Sequence, residues 1–553
     1  MNTYKSIFRL LKLNKASAWK IVVLTVTSVV ASLAGVAVAL LTKTVVDSAI
    51  AGDMPVFWRY AAYLAALAAV QIGLSFLAKY LLTKVSATID LFTKKLLYCK
   101  LLRSDYASVG AYHSGVLMSR LNDDVRIVSS GLTQIIPGLF GTVARLVAAF
   151  VAVLLINYKF ALAFLALGIC AMFGASLMRK KLQEIHRKEQ ESTEKVSSFM
   201  QESISNILMI KAFGAEDVLW ERGDALQEDR RKAIRRRNIF SSLAGLFMNV
   251  AFYGGYILGM IWCAVQIASG TITVGMFSAM LQLISQVERP LTTIAGIIPQ
   301  LASLNASADR ICELLDLPGE PEDKKNPEML YADMQWVGLR NADFAYDRDL
   351  VLQSADFTLK KGEFAVLCGV SGIGKSTLMK LLLGVYPLKN GKIILQSEGG
   401  ETPIDSTTRS LFAYVPQGSF LLSGTIRENI TLMNPSASDE TIWHALEICD
   451  AREFIDALPQ GLDTVIGERG VGLSEGQIQR LAIARALLLD APILLLDEST
   501  SALDEVTEER VLKNLRTMTD KTCLLISHKR AALAVCDHAY TLEDGRVLLR
   551  EKN

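Results

Sequence analysis

The stretch GVSGIGKST at residues 369–377 is the most informative segment in the second half of this 553-residue chain. It fits the pattern G-x-x-x-x-G-K-[ST], in which glycines allow backbone N–H groups to face phosphate oxygens. A strand-like apolar run at 364–368 precedes it and a helix-like run at 378–383 follows it, as a phosphate-binding loop requires. In such a loop Lys375 reaches the β- and γ-phosphates of a nucleotide, and the Ser376 hydroxyl ligates Mg²⁺.

A second acidic motif lies downstream, where the apolar run 493–496 ends in Asp497 and Glu498. In a fold built around a phosphate-binding loop, an aspartate at this place holds the Mg²⁺ shell. A neighbouring glutamate can orient or deprotonate the attacking water. The two motifs together predict hydrolysis of a nucleoside triphosphate.

The size and composition of the chain exclude a single soluble domain. A chain of 553 residues is too long for one core, and hydrophobic residues make up 51% of it. The net charge of +2 gives no indication of a nucleic-acid partner. The eight cysteines form no C-x-x-C pair and no metal-ligand spacing, which favours a reducing compartment for the second half.

The first half contains apolar runs long enough to cross a bilayer as helices. Six spans are predicted, at residues 21–41, 60–78, 132–156, 160–178, 239–268 and from 271–287 onward. Lys and Arg concentrate before the first span, between the second and third, and between the fourth and fifth, whereas 44–58 and 269–273 contain none. Both termini are therefore predicted to face the cytoplasm, with helices that continue well beyond the bilayer on that side.

A linker separates the two halves, because residues 317–327 read LPGEPEDKKNP, a mixture of proline, glycine and charge. After it, short β-branched runs alternate with helical ones, which is typical of an α/β fold. We therefore predict a six-helix membrane domain at 1–317, a linker at 318–330 and an α/β nucleotide-binding domain with a phosphate-binding loop at 331–553.

The ordered motifs of the second half resemble those of an ABC transporter ATPase. They are LSEGQ at 473–477, the pair Asp497–Glu498, SALD at 501–504 and His528. Six spans before the ATPase on one polypeptide resemble an exporter-type half-transporter, and this resemblance covers essentially the whole chain. It implies ATP and Mg²⁺ as ligands and a second half-transporter as partner.

The resemblance also implies roles for individual residues. The expected catalytic residues are Glu498, His528, Gln417 and Lys375. The expected Mg²⁺ ligands are Ser376, Gln417 and Asp497. Tyr346 is expected to stack on adenine, although a core tyrosine would fit the same pattern. The expected nucleotide contacts are Tyr346, Gly369, Ser371, Gly372, Gly374, Lys375, Ser376, Thr377, Ser474, Gly476, Gln477 and Asp504.

The LSEGQ segment opens a helix whose N-terminus would present amides to phosphate. In the family that phosphate belongs to ATP bound on the other subunit, so a dimer is required, and Asp504 links the two sites. The family pattern has glycine where this chain has Glu475, and a carboxylate near a triphosphate is unfavourable unless it points away. Glu475 therefore bears on how tightly the sites close.

Some membrane-side residues are also candidates for function. Ionisable residues within spans are functional candidates by default, although Lys79 can snorkel to the interface. These residues are Arg145, Lys79, Glu288 and Arg289. Segments 112–115 and 213–216 resemble the family's cytoplasmic coupling helices, with 467–470 as the ATPase segment that touches them. Either membrane segment fits a solvated turn equally well.

We therefore predict an ATP-driven exporter that works as a dimer by alternating access, in a bacterial-type inner membrane. Its cargo would be a small amphipathic molecule, a lipid or a peptide. Three alternatives stay open on sequence alone. One is an importer with the exporter fold, for example for a siderophore, and another is one half of a heterodimer. A membrane-tethered regulatory ATPase or gated channel is a third.

Overall fold

The computed structural model describes residues 5–321, 325–346, 349–418, 421–467 and 472–550. The chain divides into two compact units, Met1–Cys99 with Ser114–Leu315, and Lys100–His113 with Asp316–Asn553. The short segment Lys100–His113 thus groups with the C-terminal unit, although it lies between two membrane-predicted spans in the chain. The domain limits proposed from the sequence stay predictions.

The first unit is helical. Its helices are α1 (Lys5–Leu13), α2 (Lys15–Ile50), α3 (Met54–Leu102), α5 (Ser114–Ser119), α6 (Val125–Ser130), α7 (Ile136–Ile156), α8 (Tyr158–Ser205), α9 (Ile207–Phe213), α10 (Glu216–Ala268) and α11 (Val274–Leu315), while α4 (Tyr106–Gly110) groups with the second unit. Two π-helical turns, Arg120–Asp124 and Gly131–Ile135, interrupt the run between α5 and α7. Helix α11 continues through Pro290 and Pro299.

Among the residues that the structure describes, three helical stretches are long and apolar enough to cross a membrane: Ser17–Ile50, Met54–Leu102 and Ser114–Ile156. Two shorter apolar stretches, Tyr253–Ala268 and Val274–Val287, accompany them. The predicted count of six spans is consistent with these helices. Helices of 48 to 53 residues, such as α8 and α10, are about 70–80 Å long, far more than the ~30 Å hydrocarbon core. Such lengths agree with the predicted extension beyond the bilayer.

Asp47 joins the ends of α2 and α11 in this unit. Its carboxylate accepts hydrogen bonds from the Thr273 hydroxyl and the Gly275 amide, both at 2.9 Å. The same helices approach again at Gln286, whose side-chain nitrogen donates to the Gly35 carbonyl at 2.7 Å. Backbone amides at a helix start need acceptors, so Asp47 caps α11.

The second unit is an α/β fold, as predicted. Its strands are β1 (Met334–Tyr346), β2 (Asp349–Lys360), β3 (Phe364–Cys368), β4 (Asn390–Ser397), β5 (Gly400–Pro403), β6 (Phe412–Val415), β7 (Gly424–Thr425), β8 (Val465–Ile466), β9 (Ile493–Asp497), β10 (Thr522–Ile526), β11 (His538–Glu543) and β12 (Arg546–Arg550). Its helices are α12 (Pro327–Ala332), α13 (Lys375–Leu382), α14 (Ile426–Ile430), α15 (Asp439–Ile448), α16 (Arg452–Asp456), α17 (Glu475–Leu488), α18 (Glu505–Thr517) and α19 (Arg530–Val535).

The central sheet has the order β12-β11-β3-β10-β9-β6, and all its pairings except β11–β12 are parallel. Strands β3, β9 and β10 are buried along their whole length, which is why each reads as a continuous apolar run. Because β3, β9, β10 and β6 are parallel neighbours, their carboxyl ends meet at one edge of the sheet. An antiparallel sheet, β2-β1-β4-β5, completes the unit.

The segment Lys100–His113 is anchored within this unit. The Asp105 amide donates to the Pro318 carbonyl at 3.0 Å, and the Tyr106 ring lies edge-on to that of Tyr386, with centroids 5.6 Å apart. Glu320 accepts two hydrogen bonds of 2.9 Å from the Arg409 guanidinium. Pro318 and Glu320, near the predicted start of the linker, therefore contact the segment Lys100–His113 and the remainder of the second unit, respectively.

Candidate functional site

The phosphate-binding loop joins β3 to α13. Gly374 has φ +113°, and a Cβ there would lie 2.3 Å from Val351 Cγ1, so only glycine fits the position. Lys375 begins α13, and its ammonium donates to the carbonyls of Gly369 at 2.8 Å and Val370 at 2.9 Å. A cation is thus held beside the N-terminus of a helix, an arrangement that attracts phosphate.

The other predicted residues of the loop differ in their exposure. Ser371 and Gly372 are exposed, whereas Thr377 is buried on the first turn of α13. The Thr377 hydroxyl lies 3.4 Å from the Tyr346 hydroxyl. The half-exposed Tyr346 ring, edge-on to Tyr386 at 5.3 Å, therefore stands beside the loop.

Asp497, at the end of β9, is 1% exposed and accepts two hydroxyl hydrogen bonds of 3.0 Å. Ser376 donates to one carboxylate oxygen and Tyr414 to the other. Burial, with the charge of neighbouring Glu498, raises the pKa of Asp497, while the two hydrogen bonds act in the opposite direction. The hydroxyl and carboxylate oxygens are the hard ligands that Mg²⁺ prefers, so these residues fit the ion.

Tyr414 was not among the residues predicted from the sequence. Its phenol has a raised pKa because it is buried beside the carboxylate of Asp497, so it remains a protonated donor. The available signal was its place on β6, three residues before Gln417. Only the pairing of β6 with β9, with Val415 opposite Leu496, turns that place into a contact.

The same pairing of strands brings Gln417 to Glu498. The amide nitrogen of Gln417 donates to a carboxylate oxygen of Glu498 at 2.8 Å. The amide oxygen is therefore the atom that would bind Mg²⁺. Glu498 has φ +49°, a left-handed conformation that is uncommon for a residue with a side chain and often found at functional sites.

His528 follows β10 and is exposed. It lines a cavity of about 570 Å³ together with loop residues Gly369, Val370 and Ile373. The predicted γ-phosphate contact thus opens onto the same space as the phosphate-binding loop.

A second group of predicted residues lies at the start of α17. Ser474 caps this helix in a reciprocal arrangement, in which its hydroxyl accepts from the Gln477 amide at 3.3 Å. The Gln477 side chain in turn accepts from the Ser474 amide at 2.8 Å. Glu475 is exposed at the first helical position, and a Cβ on Gly476 would lie 3.0 Å from the Ala502 carbonyl. Glycine therefore permits close approach of α17 to the segment after Asp497.

Asp504 caps the N-terminus of α18, where its carboxylate accepts from the Thr507 amide at 3.0 Å. That hydrogen bond lowers the pKa of Asp504. Among the described residues, no hydrogen bond joins Ser474, Gly476, Gln477 or Asp504 to the phosphate-binding loop. The structure thus brings the predicted residues together in two groups.

The candidate residues in the membrane-predicted half do not form one site among the described residues. The Arg145 guanidinium donates to the Ser32 hydroxyl at 3.3 Å, and Lys79 is exposed. The side chains of Glu288 and Arg289 lie outside the described residues, as do residues 468–470. Segment 213–216 connects α9 to α10, with Gly214 in the left-handed conformation that ends α9.

Comparison with known protein families finds two matches. The family described as "ABC transporter transmembrane region" matches residues 21–291, and the family "ABC transporter" matches residues 352–501. Together they cover most of both units.

Individual relatives agree with these matches. The chain is 30% identical to the ATP-dependent lipid A-core flippase of Desulfotalea psychrophila over 452 residues, 80% of this chain and 78% of that protein. It is 31% identical to the multidrug resistance ABC transporter ATP-binding and permease protein of Lactococcus lactis subsp. lactis, over 78% of this chain and 74% of that one.

A solved structure of a bacterial Atm1-family ABC exporter with ATP bound has the same fold. The TM-score is 0.79 at 24% identity, covering 97% of this chain and 94% of that chain. This likeness concerns the fold alone.

Proposed function

We propose an export function for this chain, which belongs to the ABC transporter family and carries its membrane and ATPase domains on one polypeptide. As a member of that family it is an integral membrane protein that couples ATP hydrolysis to transport. The observation that carries the ATPase part of the proposal is the pairing of Gln417 with Glu498 next to Asp497, beside the phosphate-binding loop. The direction of transport rests on the names of the relatives.

Each residue of this site would have a separate task. Lys375 and the start of α13 would neutralise phosphate charge, while Tyr346 would stack on adenine. Ser376, Asp497 and Gln417 would hold Mg²⁺, which supplies further charge neutralisation when bound. Glu498 would polarise the attacking water, with its carboxylate oriented by Gln417, and His528 would contact the γ-phosphate.

A dimer is the working form that the chain supports best. The second group of predicted residues would contact the nucleotide that is bound to a second copy of the chain. This group consists of Ser474, Gly476, Gln477 and Asp504. Helix α9 also carries exposed apolar side chains, with Leu208 81% and Phe213 79% exposed, and such surfaces favour a partner. Glu498 and His528 are both present, so a homodimer would have two complete sites.

We further propose that closure of the two ATPase domains draws the inner ends of the long helices together and turns the transport pathway outward. Binding must differ between the two states for this coupling to exist. The domain limits 1–317, 318–330 and 331–553, a bacterial-type inner membrane and cytoplasmic termini complete the proposal.

The cargo is proposed to be an amphipathic molecule, a lipid or a peptide. The names of the relatives favour export, since one is called a flippase for lipid A-core and another a multidrug resistance protein. The apolar character of the predicted fifth and sixth spans is consistent with such cargo.

Transport in inside-out membrane vesicles tests the proposal. With ATP outside, an exporter accumulates a fluorescent amphipathic dye or moves a fluorescent phospholipid analogue to the inner leaflet. The Glu498→Gln protein at equal expression is the matched inactive control. Movement of both probes at the same rate in wild type and control would contradict active export.

Two further measurements separate the alternatives. An importer with the exporter fold would deplete vesicles preloaded with an iron–siderophore complex instead of filling them. A heterodimer half, purified alone, would have the mass of a monomer in lipid nanodiscs and little ATPase activity. A dimeric mass with full ATPase activity supports the homodimer.

A further inference from the structure

Lys529, the residue after His528, is bound to the segment that follows Asp497 and Glu498. Its ammonium donates to the carbonyls of Thr500 and Leu503, both at 2.9 Å. It also pairs with the Glu508 carboxylate at 3.1 Å. An ammonium group has three N–H donors, and these three acceptors match them.

Glu508 closes the network from the other side. Its carboxylate is 1% exposed, on the first turn of α18, and accepts from the Thr500 hydroxyl at 2.7 Å. A buried carboxylate is costly unless it is paired and hydrogen-bonded, and here Lys529 and Thr500 supply both. The ion pair therefore fixes Thr500 through its side chain and its backbone.

Gln479, which is buried in α17, holds the same segment from the opposite side. Its side-chain nitrogen donates to the Ser501 hydroxyl and its oxygen accepts from the Ala502 amide, both at 3.0 Å. Residues 500–503 are thus bound to α17 through Gln479, and through Lys529 to the segment between β10 and α19. Asp504 follows at once as the cap of α18.

We propose that Lys529 is a positioning residue that transmits the state of His528 to the segment 500–504. His528 and Lys529 are adjacent, so a backbone shift at the histidine moves the ammonium that carries Thr500 and Leu503. The proposal rests on the dimer above, in which Asp504 links the two nucleotide sites. Among the described residues, the Lys529 ammonium forms its hydrogen bonds and ion pair with Thr500, Leu503 and Glu508, none of which is proposed to bind nucleotide.

This position gives Lys529 a distinctive effect on kinetics. Loss of its contacts would leave ATP binding to the loop intact and would impair the step in which the two sites act together. A displacement of about 1 Å in a catalytic arrangement can reduce rates by about 100-fold. We expect kcat to fall and cooperativity in ATP to disappear, while the affinity of one site for nucleotide stays unchanged.

The experiment compares Lys529→Met with Lys521→Met in the full-length dimer. Lys521 also forms a lysine–carboxylate pair, with Asp490, but it lies at the opposite end of β10. ATPase rate against ATP concentration gives kcat, KM and the Hill coefficient, and binding of a fluorescent ATP analogue gives site affinity. Thermal unfolding reports any general loss of stability.

The expected result is a fall in kcat of about 10- to 100-fold for Lys529→Met, with a Hill coefficient near one and nucleotide affinity within about twofold of wild type. Lys521→Met should keep wild-type kinetics whatever its melting temperature. Wild-type cooperativity in Lys529→Met, or equal losses of kcat in both variants, overturns the proposal.

Glu508→Gln provides a second variant if Lys529→Met does not fold. It retains an acceptor for Thr500 but removes the charge opposite Lys529, so a smaller loss of kcat and cooperativity is expected. Unchanged kinetics in Glu508→Gln overturns the proposal. Failure of the dimer itself has a different signature, because the wild-type protein would then already show a Hill coefficient of one and a monomeric mass.

Discussion

The amide nitrogen of Gln417 lies 2.8 Å from a carboxylate oxygen of Glu498, although 81 residues separate them in the chain. The contact exists because β6 and β9 are neighbouring parallel strands whose carboxyl ends coincide. It engages the amide nitrogen of Gln417, so the amide oxygen is the atom proposed to bind Mg²⁺, and it orients the carboxylate proposed to polarise water. The first prediction concerns that carboxylate.

Glu498→Gln should bind ATP and close the dimer but hydrolyse ATP about 100- to 10,000-fold more slowly, because the amide cannot accept a proton from water. Single-turnover ATPase assays, with crosslinking of the ATPase domains, measure both effects. Glu505→Gln, an exposed acid in the first turn of α18, is the control. Near-normal turnover in Glu498→Gln would remove Glu498 from its role.

Tyr414→Phe should move the acid limb of the kcat/KM profile upward by about one pH unit. The Tyr414 hydroxyl lowers the pKa of Asp497, so its loss raises that pKa further, and more alkaline conditions are then needed to ionise the carboxylate. Tyr540→Phe is matched, since its hydroxyl donates at 2.8 Å to the Thr358 carbonyl, away from Asp497. Identical profiles for the two variants would be evidence against the prediction.

Glu475→Gln should lower the KM for ATP about twofold to fivefold, because a unit charge near a triphosphate contributes roughly 0.5–1 kcal/mol of repulsion in a solvated setting. The gain should shrink as salt concentration rises. Glu453→Gln, also in the first turn of a helix, controls for a general change in charge. If KM does not change, the Glu475 carboxylate points away from the nucleotide.

Gly141→Ala should destabilise the first unit, because the added Cβ would lie 2.4 Å from the Ser28 hydroxyl and 3.2 Å from the Ser28 carbonyl oxygen. Gly138→Ala, on the same helix, meets nothing within 4 Å. Both changes gain the same helix propensity, so their difference reports packing of α7 on α2, and we expect about 1–3 kcal/mol. Melting temperatures in lipid nanodiscs measure it, and equal values would contradict close packing there.

Much of the ATPase unit was predictable because its motifs are local. Residues 369–377 carry their strand, turn and helix signals within a few positions, and the buried strands at 493–497 and 522–526 read as unbroken apolar runs. The family was confirmed by the comparisons. The catalytic roles of Glu498, His528 and Gln417 stay predictions.

What the sequence did not indicate depends on strand order and side-chain direction. Tyr414 reaches Asp497 across 83 residues, and Lys529 reaches back to Thr500 and Glu508. No local pattern distinguishes these residues from ordinary members of a strand or a turn. The resemblance indicated a contact of segment 112–115 with the ATPase, but the grouping of the whole segment Lys100–His113 with the second unit was not predicted, because no local pattern shows what a short connection packs against.

That grouping has a practical consequence for anyone who wishes to study the motor by itself. A fragment cut at Met334 would discard Tyr106, Pro318 and Glu320. The Tyr386 ring would lose one of its aromatic neighbours, and the guanidinium of Arg409 would lose its carboxylate. We expect such a fragment to be less stable and more prone to aggregation. A soluble version of the ATPase unit should instead begin before Pro318 and carry residues 100–113 as a fused peptide.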